Sequence, residues 1–461
     1  MYKVIVEINK THERRHFESD RKDSKEASEI KVKFAAGGLT AQGGLILVEE
    51  LVHRLRVKEI IEETISVKKR QRGYQESDHI MALVYNLIGG GSCLDDLNLL
   101  QEDEETKAVI QQEAIPHATT AGDFLRAFTL GHIKQLEKAS RQIQETVHKG
   151  EAVAELVLDI DSAIFEQYSS KKQGSCRGYS GETGYHPQFG FRADTGEWVY
   201  GSLQRGGAYT SADAEQFLAE CLKRLPKRVK RVKTRSDSGW YKEAYLVACE
   251  GCESHEVIYT ITADQTKPLL EKIAGIKEWT PMSAAEGEMR EVAKFWYRGA
   301  RWQKERRFIV KRERRRQAAE SRLSLFTDDG YRYYVFVTNS AEADIAGLMA
   351  FHMGRGNVEN YIKELLYGFD LEQLPSERFH ANWVYLLIGQ LAYNLVVWLK
   401  QYGLPKKYLQ SRVKLIRHRF LYLAGRIVRS GRGVWLNLSQ GYRCQQEFLD
   451  ALLRLRSLEF A

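Results

Sequence analysis

Apolar residues recur at steps of three and four early in the chain. Leu45, Leu47, Val48, Leu51, Val52 and Leu55 fall on one stripe, the period of an amphipathic helix. The pattern predicts helices from Leu39 to about Gly150, broken at Gly-rich points such as HIMALVYNLIGGG. In ATTAGDFLRAF, Thr119 or Thr120 is the expected N-cap. Short helices with tight turns suit a helix-turn-helix-like module, and equally a plain bundle. Residues 1–33 are polar and charged and read as a loosely ordered arm.

The period changes at Glu155. ELVLDIDSAIF alternates and is rich in β-branched residues, a strand signal. HPQFGFRA and GEWVYGSLQ read as further strands, SADAEQFLAECLKRL as a helix, and RVKRVKTRSDSGW as a strand ending in a turn. A helix over Lys242 to Cys249 and the strand EVIYTITA follow. This alternation predicts an α/β fold with a mixed sheet. EVAKFWYRG, RRFIVKRERR and YRYYVFVTN interrupt the rhythm as extra strands, and helix returns from about Ala343. Ala381 to Leu399 is long and apolar enough to span a bilayer. It carries Asn382, Gln390 and Asn394, however, and reads as a buried core helix, with no membrane partner. The expected layout is an arm (1–33), a helical domain (34–150), an α/β domain (151–400) with a β insertion over about 265–340, and a helical C-terminal region (401–461).

Composition sharpens this only where charge is concentrated. The 461 residues carry a net charge of +8, and 43% are hydrophobic, so the chain is globular and its partner anionic. Between Arg298 and Arg316 there are ten Lys/Arg and two Glu, and Lys223 to Arg235 holds eight Lys/Arg and no acid. A third basic group is spread over Arg412 to Arg432. The six cysteines are scattered, and Met1 to Asn9 leads directly into charged residues. Free thiols in a reducing cytoplasm are expected. Cys249 and Cys252 form one CxxC near His255, but a zinc site normally needs a second pair, and none has that spacing.

Four acids stand out. Asp159 and Asp161 in LDIDSA share one face of their strand, and an acid on a buried strand is costly unless paired or bound to metal. Asp237 in TRSDSGW sits where a strand ends, at the edge of the crevice in which α/β proteins bind ligands. Glu359 lies on a helix whose apolar side is Val358, Ile362, Leu365 and Phe369. Arg355, Glu359 and Lys363 share its other face. That face is either a charge ladder worth about 0.2–0.5 kcal/mol per pair or a carboxylate flanked by phosphate-holding cations. Strand Asp, strand-end Asp and helix Glu together offer hard oxygen ligands to Mg²⁺. Two such ions about 3.5–4 Å apart can activate an attacking hydroxyl and stabilise a leaving oxygen.

LDIDSA, TRSDSGW and RGNVENYIKELLYGFDLEQLPSERFHANWVYLLIGQLAYNLV together resemble bacterial insertion-sequence transposases of the DDE class, in the subgroup with a β insertion before the Glu. GGLILVEEL and LIGGGSCLDDLNLL are similar to that family's N-terminal helical region. The resemblance implies a ribonuclease-H-like catalytic core and two Mg²⁺ or Mn²⁺ ions held by Asp161, Asp237 and Glu359. It also implies cleavage of double-stranded DNA at terminal inverted repeats, joining to target DNA, a homodimer in the DNA complex, and action on nucleoid DNA in the cytoplasm. Asp161, followed by Ser162 and Ala163, matches the family's first Asp better than Asp159, which is left as a supporting acid. The family signature places Tyr, Arg, Glu and Lys along the Glu helix. Here Arg355 and Glu359 fit, His352 replaces Tyr, and Leu366 stands where Lys belongs, with Lys363 one turn earlier. Arg355, Lys363, Arg301, Trp302, Arg306 and Arg307 are the expected DNA contacts. Trp296 and Trp302 flank the most basic stretch, where they either stack on exposed bases or pack the inserted strands. A structure-selective nuclease on the same fold and a DNA-binding regulator with an impaired site are the alternatives.

Overall fold

The computed structural model describes residues 4–7, 30–33, 38–68, 73–169, 171–178, 181–282, 290–314, 331–430 and 433–460. Most of the expected arm lies outside these residues. Its described pieces, Val4–Glu7 and Ile30–Lys33, pair as parallel strands.

Seven helices follow, among them Ile46–Arg54, Glu76–Gly89 and Leu130–Val147. Leu47, Val48, Leu51 and Val52 form the buried face of the first, as their spacing requires. The helix Ala118–Arg126 begins one residue before the expected cap. His117 takes that place, and its ring accepts from the Thr119 amide. An imidazole nitrogen can accept from an orphan N–H as a hydroxyl does.

A nine-stranded sheet forms the middle of the molecule. Its strands in chain order are β1 (Glu155–Ser162), β2 (Gln188–Arg192), β3 (Trp198–Ser202), β4 (Arg231–Ser236), β5 (Glu256–Thr262), β6 (Thr280–Pro281), β7 (Arg290–Tyr297), β8 (Arg306–Arg314) and β9 (Tyr331–Thr338). Their spatial order is 6-7-8-9-5-4-1-2-3. β1, β4 and β5 run parallel, while β2 and β3 are antiparallel additions on one side. On the other side β9 pairs antiparallel with β5. The inserted strands thus lengthen the central sheet instead of building a separate one.

The sheet has different cores on its two faces. Leu156, Leu158 and Ile160 of β1 pack with Phe217, Trp240 and Leu246, so the alternating Asp159 and Asp161 face the other way. On that side Phe189, Phe191 and Trp198 join a core running from Leu45 to Leu455. At its centre is the helix Phe379–Trp398, the apolar segment seen in the sequence, 94% buried over its most hydropathic stretch. Helices from both ends of the chain pack into this core. The polar residues of the long helix explain how it is seated. Gln390 and Asn394 donate to the Trp198 carbonyl at 2.8 and 2.9 Å, and Asn394 accepts from the Trp198 amide at 2.9 Å. Asn382 donates to the Ser376 carbonyl.

The C-terminal region is not wholly helical as expected. Gly425–Ser430 and Gly433–Leu438 form an antiparallel hairpin before the last helix, Gln445–Arg456. The alternation in GRIVRS and GVWLNL is a strand period, masked in the sequence by its arginines and glycines. All six cysteines are free; Cys249 is buried in the second core and Cys252 lies 3.4 Å from the Ser254 hydroxyl.

Candidate active site

Parallel register brings the two aspartates together. Ile160 of β1 stands opposite Ser236 of β4, so the next residues, Asp161 still within β1 and Asp237 just past the end of β4, come side by side. Asp161 is 7% exposed. Its Oδ1 accepts from the Ser162 amide at 2.8 Å. Asp237 caps the turn Ser238–Trp240, accepting from the Gly239 amide at 3.0 Å. That turn demands glycine, since a Cβ on Gly239 would lie 2.6 Å from the Thr210 methyl. Buried Trp240 anchors it.

Glu359 comes from a distant part of the chain. It is the second residue of the helix Val358–Gly368, which packs through Val358, Ile362 and Leu365. An acid in a first helical turn is favoured by the helix dipole, and its side chain remains half exposed. Arg355, in the turn Gly354–Asn357, stands between the acids. Its Nη1 is 3.4 Å from Asp161 Oδ2 and its Nη2 4.0 Å from Glu359 Oε1. Lys363 Nζ is 3.9 Å from Glu359 Oε2. Arg355, Glu359 and Lys363 therefore share a face, as their spacing predicts.

The electrostatics follow from this crowding. Burial, the neighbouring Asp237 carboxylate and then Glu359 push the Asp161 carboxyl up to about 7. Burial also raises Asp237, against the pull of Arg355. The acids repel, and one cation side chain partly offsets them. Among the described residues no three His, Cys, Asp or Glu side chains form a ready-made metal cage. The donor set nevertheless suits a hard divalent cation. Its ligands are carboxylate oxygens, one oxygen of each aspartate is fixed by a backbone N–H, and the surplus negative charge is what a cation relieves.

Asp159 has another task. It is wholly buried, and both its oxygens accept from Arg235, at 2.6 and 2.8 Å. Burial pushes its carboxyl up while the guanidinium fork pulls the other way. Arg235 also donates to the Phe351 carbonyl at 3.0 Å, which ties β4 to the helix Ile345–Met353. His352, in the place of the family's Tyr, bonds Thr260 and Thr262 at 3.0 Å each and stacks on Phe336. Burial lowers its imidazole to about 3, so it acts as a neutral strut. Leu366 packs against the large core.

Sequence reasoning missed a polar pair beside Asp161. The His186 Nδ1 lies 3.1 Å from the Ala208 carbonyl, which can only accept. Nδ1 therefore donates, and Nε2 meets the Ser162 hydroxyl at 3.0 Å. A single buried histidine gives no sequence signal of this.

In the insertion, two of the expected DNA contacts have partners within the protein. Arg306 is buried and donates to Glu243 and Glu250, and Arg307 donates to the Ser340 carbonyl at 2.7 Å. As neighbours in one strand the two point to opposite faces of the sheet, and each meets a protein partner on its own side. Trp302 packs against Tyr241 and Phe308, under Arg306, whereas Trp296 and Arg301 are exposed.

A protein-family profile, transposase DDE domain group 1, matches residues 22–460. No curated protein sequence matches the chain. Among solved structures, the cryo-EM structure of a piggyBac transposase synaptic complex with hairpin DNA is similar at 13% identity and a TM-score of 0.43, over 83% of this chain and 81% of that one. With the profile spanning nearly its whole length, the chain belongs to the DDE transposase family, enzymes that cut DNA and transfer its strands with divalent metal ions.

Proposed function

We propose that Asp161, Asp237 and Glu359 are the catalytic triad of this transposase and that they hold two Mg²⁺ or Mn²⁺ ions. The observation that carries the reading is the meeting of three carboxylates from β1, the end of β4 and the Glu359 helix around Arg355. The strand order 3-2-1-4-5 within the sheet supports a ribonuclease-H-like core, with β6–β9 as the insertion. In this reading residues 151–400 are the catalytic domain, 34–150 a DNA-binding domain and 401–461 a C-terminal region.

Ions held by Asp161, Asp237 and Glu359 would supply activation of the attacking hydroxyl and stabilisation of the leaving 3′-oxygen of the phosphodiester. The chain supplies position and charge. Asp161 and Asp237 are fixed by the Ser162 and Gly239 amides, so their free oxygens are aimed without reorganisation. Arg355 can move from the carboxylates to a phosphate oxygen, which it grips bidentately. Lys363 serves the same strand as a point charge. No covalent protein–DNA intermediate is required, because a released 3′-hydroxyl attacks the target directly. The substrates are the element's terminal inverted repeats and target duplex, held by a homodimer that brings two ends together, in the cytoplasm.

The test is cleavage of duplex carrying the native element ends, with Mg²⁺. Wild type is expected to nick at the element boundary, and Asp237→Asn to bind the same duplex without nicking it. Undiminished cleavage by Asp237→Asn would overturn the assignment.

A further inference from the structure

The densest run of basic residues is in the insertion, yet much of its charge is spent internally. Arg306 and Lys304 pair with Glu250, Lys311 with Glu313, and Arg312 with Glu291. The C-terminal part of the chain differs. From 378 to 446 there is no Asp or Glu, and 400–443 contains eleven Lys/Arg. A few of these are used within the fold: buried Arg417 donates to the Leu87 and Ile88 carbonyls, and Lys407 pairs with Glu447. Arg426 and Arg429 are exposed, with no ion-pair partner among the described residues.

Those two arginines lie on the hairpin Gly425–Leu438. Ile427, Leu436 and Leu438 pack against the large core, and the Ile427 amide donates to Glu105 at 2.7 Å, so the ribbon has an anchored face. Register puts Arg426 opposite Asn437 and Val428 opposite Trp435 on the other face. Trp435 is 58% exposed there; Arg429 and its partner Val434 alternate onto the anchored side but lie at the turn end of the ribbon, where both are exposed. A two-stranded ribbon is the right width for a DNA major groove; Arg426 on the face of the exposed Trp435, with Arg429 exposed at the turn end, combines phosphate contact with an apolar surface for base edges.

We propose that this hairpin is a DNA-binding ribbon: it docks on duplex DNA with Arg426 and Arg429 on phosphates and Trp435 against the groove. The proposal rests on the transposase reading for its partner. It assigns the duplex grip outside the catalytic centre to the acid-free C-terminal segment, ahead of the insertion. Charge complementarity selects DNA over a second copy of the chain, because two such ribbons would set unpaired arginines against each other.

The experiment uses the full chain, in chelator so that no cutting occurs, and a labelled duplex of about 30 base pairs titrated across a salt series. Arg426→Gln with Arg429→Gln should flatten the log–log salt dependence by about 2, since each phosphate contact contributes roughly 0.9. Trp435→Ala should weaken binding by about tenfold, the scale of one lost stacking or groove contact, with the slope unchanged. All three substituted side chains are exposed, and a thermal melt equal to wild type confirms that the anchored face is intact. Wild-type affinity and slope in both variants would overturn the proposal. So would a Trp435→Ala effect confined to oligomeric state in sedimentation, which would make the ribbon a protein interface. Nicking of the element ends is followed in parallel with wild type and Asp237→Asn. Cutting that depends on Asp237 together with an unchanged salt slope refutes the ribbon alone; ribbon-dependent binding without any cutting refutes the catalytic assignment alone.

Discussion

Replacing Asp161 by Asn should stabilise the metal-free protein, and increasingly so as pH rises. The folded chain holds the Asp161 proton up to about pH 7, against an ordinary carboxyl value of 3.8, because of burial and the charges of Asp237 and Glu359. An unfolded chain releases that proton near the ordinary value. Between the two the folded state binds more protons, so stability falls with rising pH. The contribution is fully present below about pH 4 and is lost by the time pH passes about 7. A raise from 3.8 to about 7, at about 1.36 kcal/mol per unit, amounts to roughly 4 kcal/mol across the window. Asparagine keeps the acceptor for the Ser162 amide and does not titrate. Thermal melts in chelator should therefore show Asp161→Asn close to wild type at about pH 4 and well above it at about pH 8. Adding Mg²⁺ should raise the wild type and leave the variant behind, because a bound cation favours ionised ligands. Melting curves for the two proteins that run parallel from pH 4 to 8 in chelator would refute the electrostatic account of the site.

Arg355→Ala should cut strand cleavage by about tenfold or more, each decade being about 1.36 kcal/mol of lost transition-state stabilisation, while calorimetric metal affinity persists or rises; full cleavage would reduce the helix face to a salt-bridge ladder. Arg235→Ala should lower folding stability by about 3–5 kcal/mol by leaving Asp159 buried without its partner, and Asp159→Leu with Arg235→Met should recover much of that in denaturant melts.

What the sequence made legible was local. The three acids were identifiable because strand alternation, a strand end and a helical stripe each mark one of them, and the elements carrying them stand where their periods place them. The choice of Asp161 over Asp159 was also available, but its reason was not. It depends on Arg235, 76 residues away, which occupies both Asp159 oxygens. The same limit applies to Arg306 and Arg307, whose partners Glu250 and the Ser340 carbonyl meet them only once the sheet is assembled. The Ser162–His186 bond arises from the β1–β2 register, and a period carries no information about register. The hairpin went unread because Arg426 and Arg429 fall on opposite faces of its first strand, which hides a two-residue period behind charge.

The outer edge of β3 shows how this sheet is bounded. Side-chain amides from two helices take the positions a further strand would offer: Gln144 and Gln390 on the Val199 carbonyl, Gln390 and Asn394 on that of Trp198. An open edge recruits strands; this one is chemically closed. The sheet can therefore grow in one direction only, beyond β5, where β6–β9 have been added. Growth is thus directed away from β1 and β2, and strands gained or lost at that far margin leave the Asp161–Asp237 register unaltered. The amides act as a fixed origin from which the position of the carboxylates is measured.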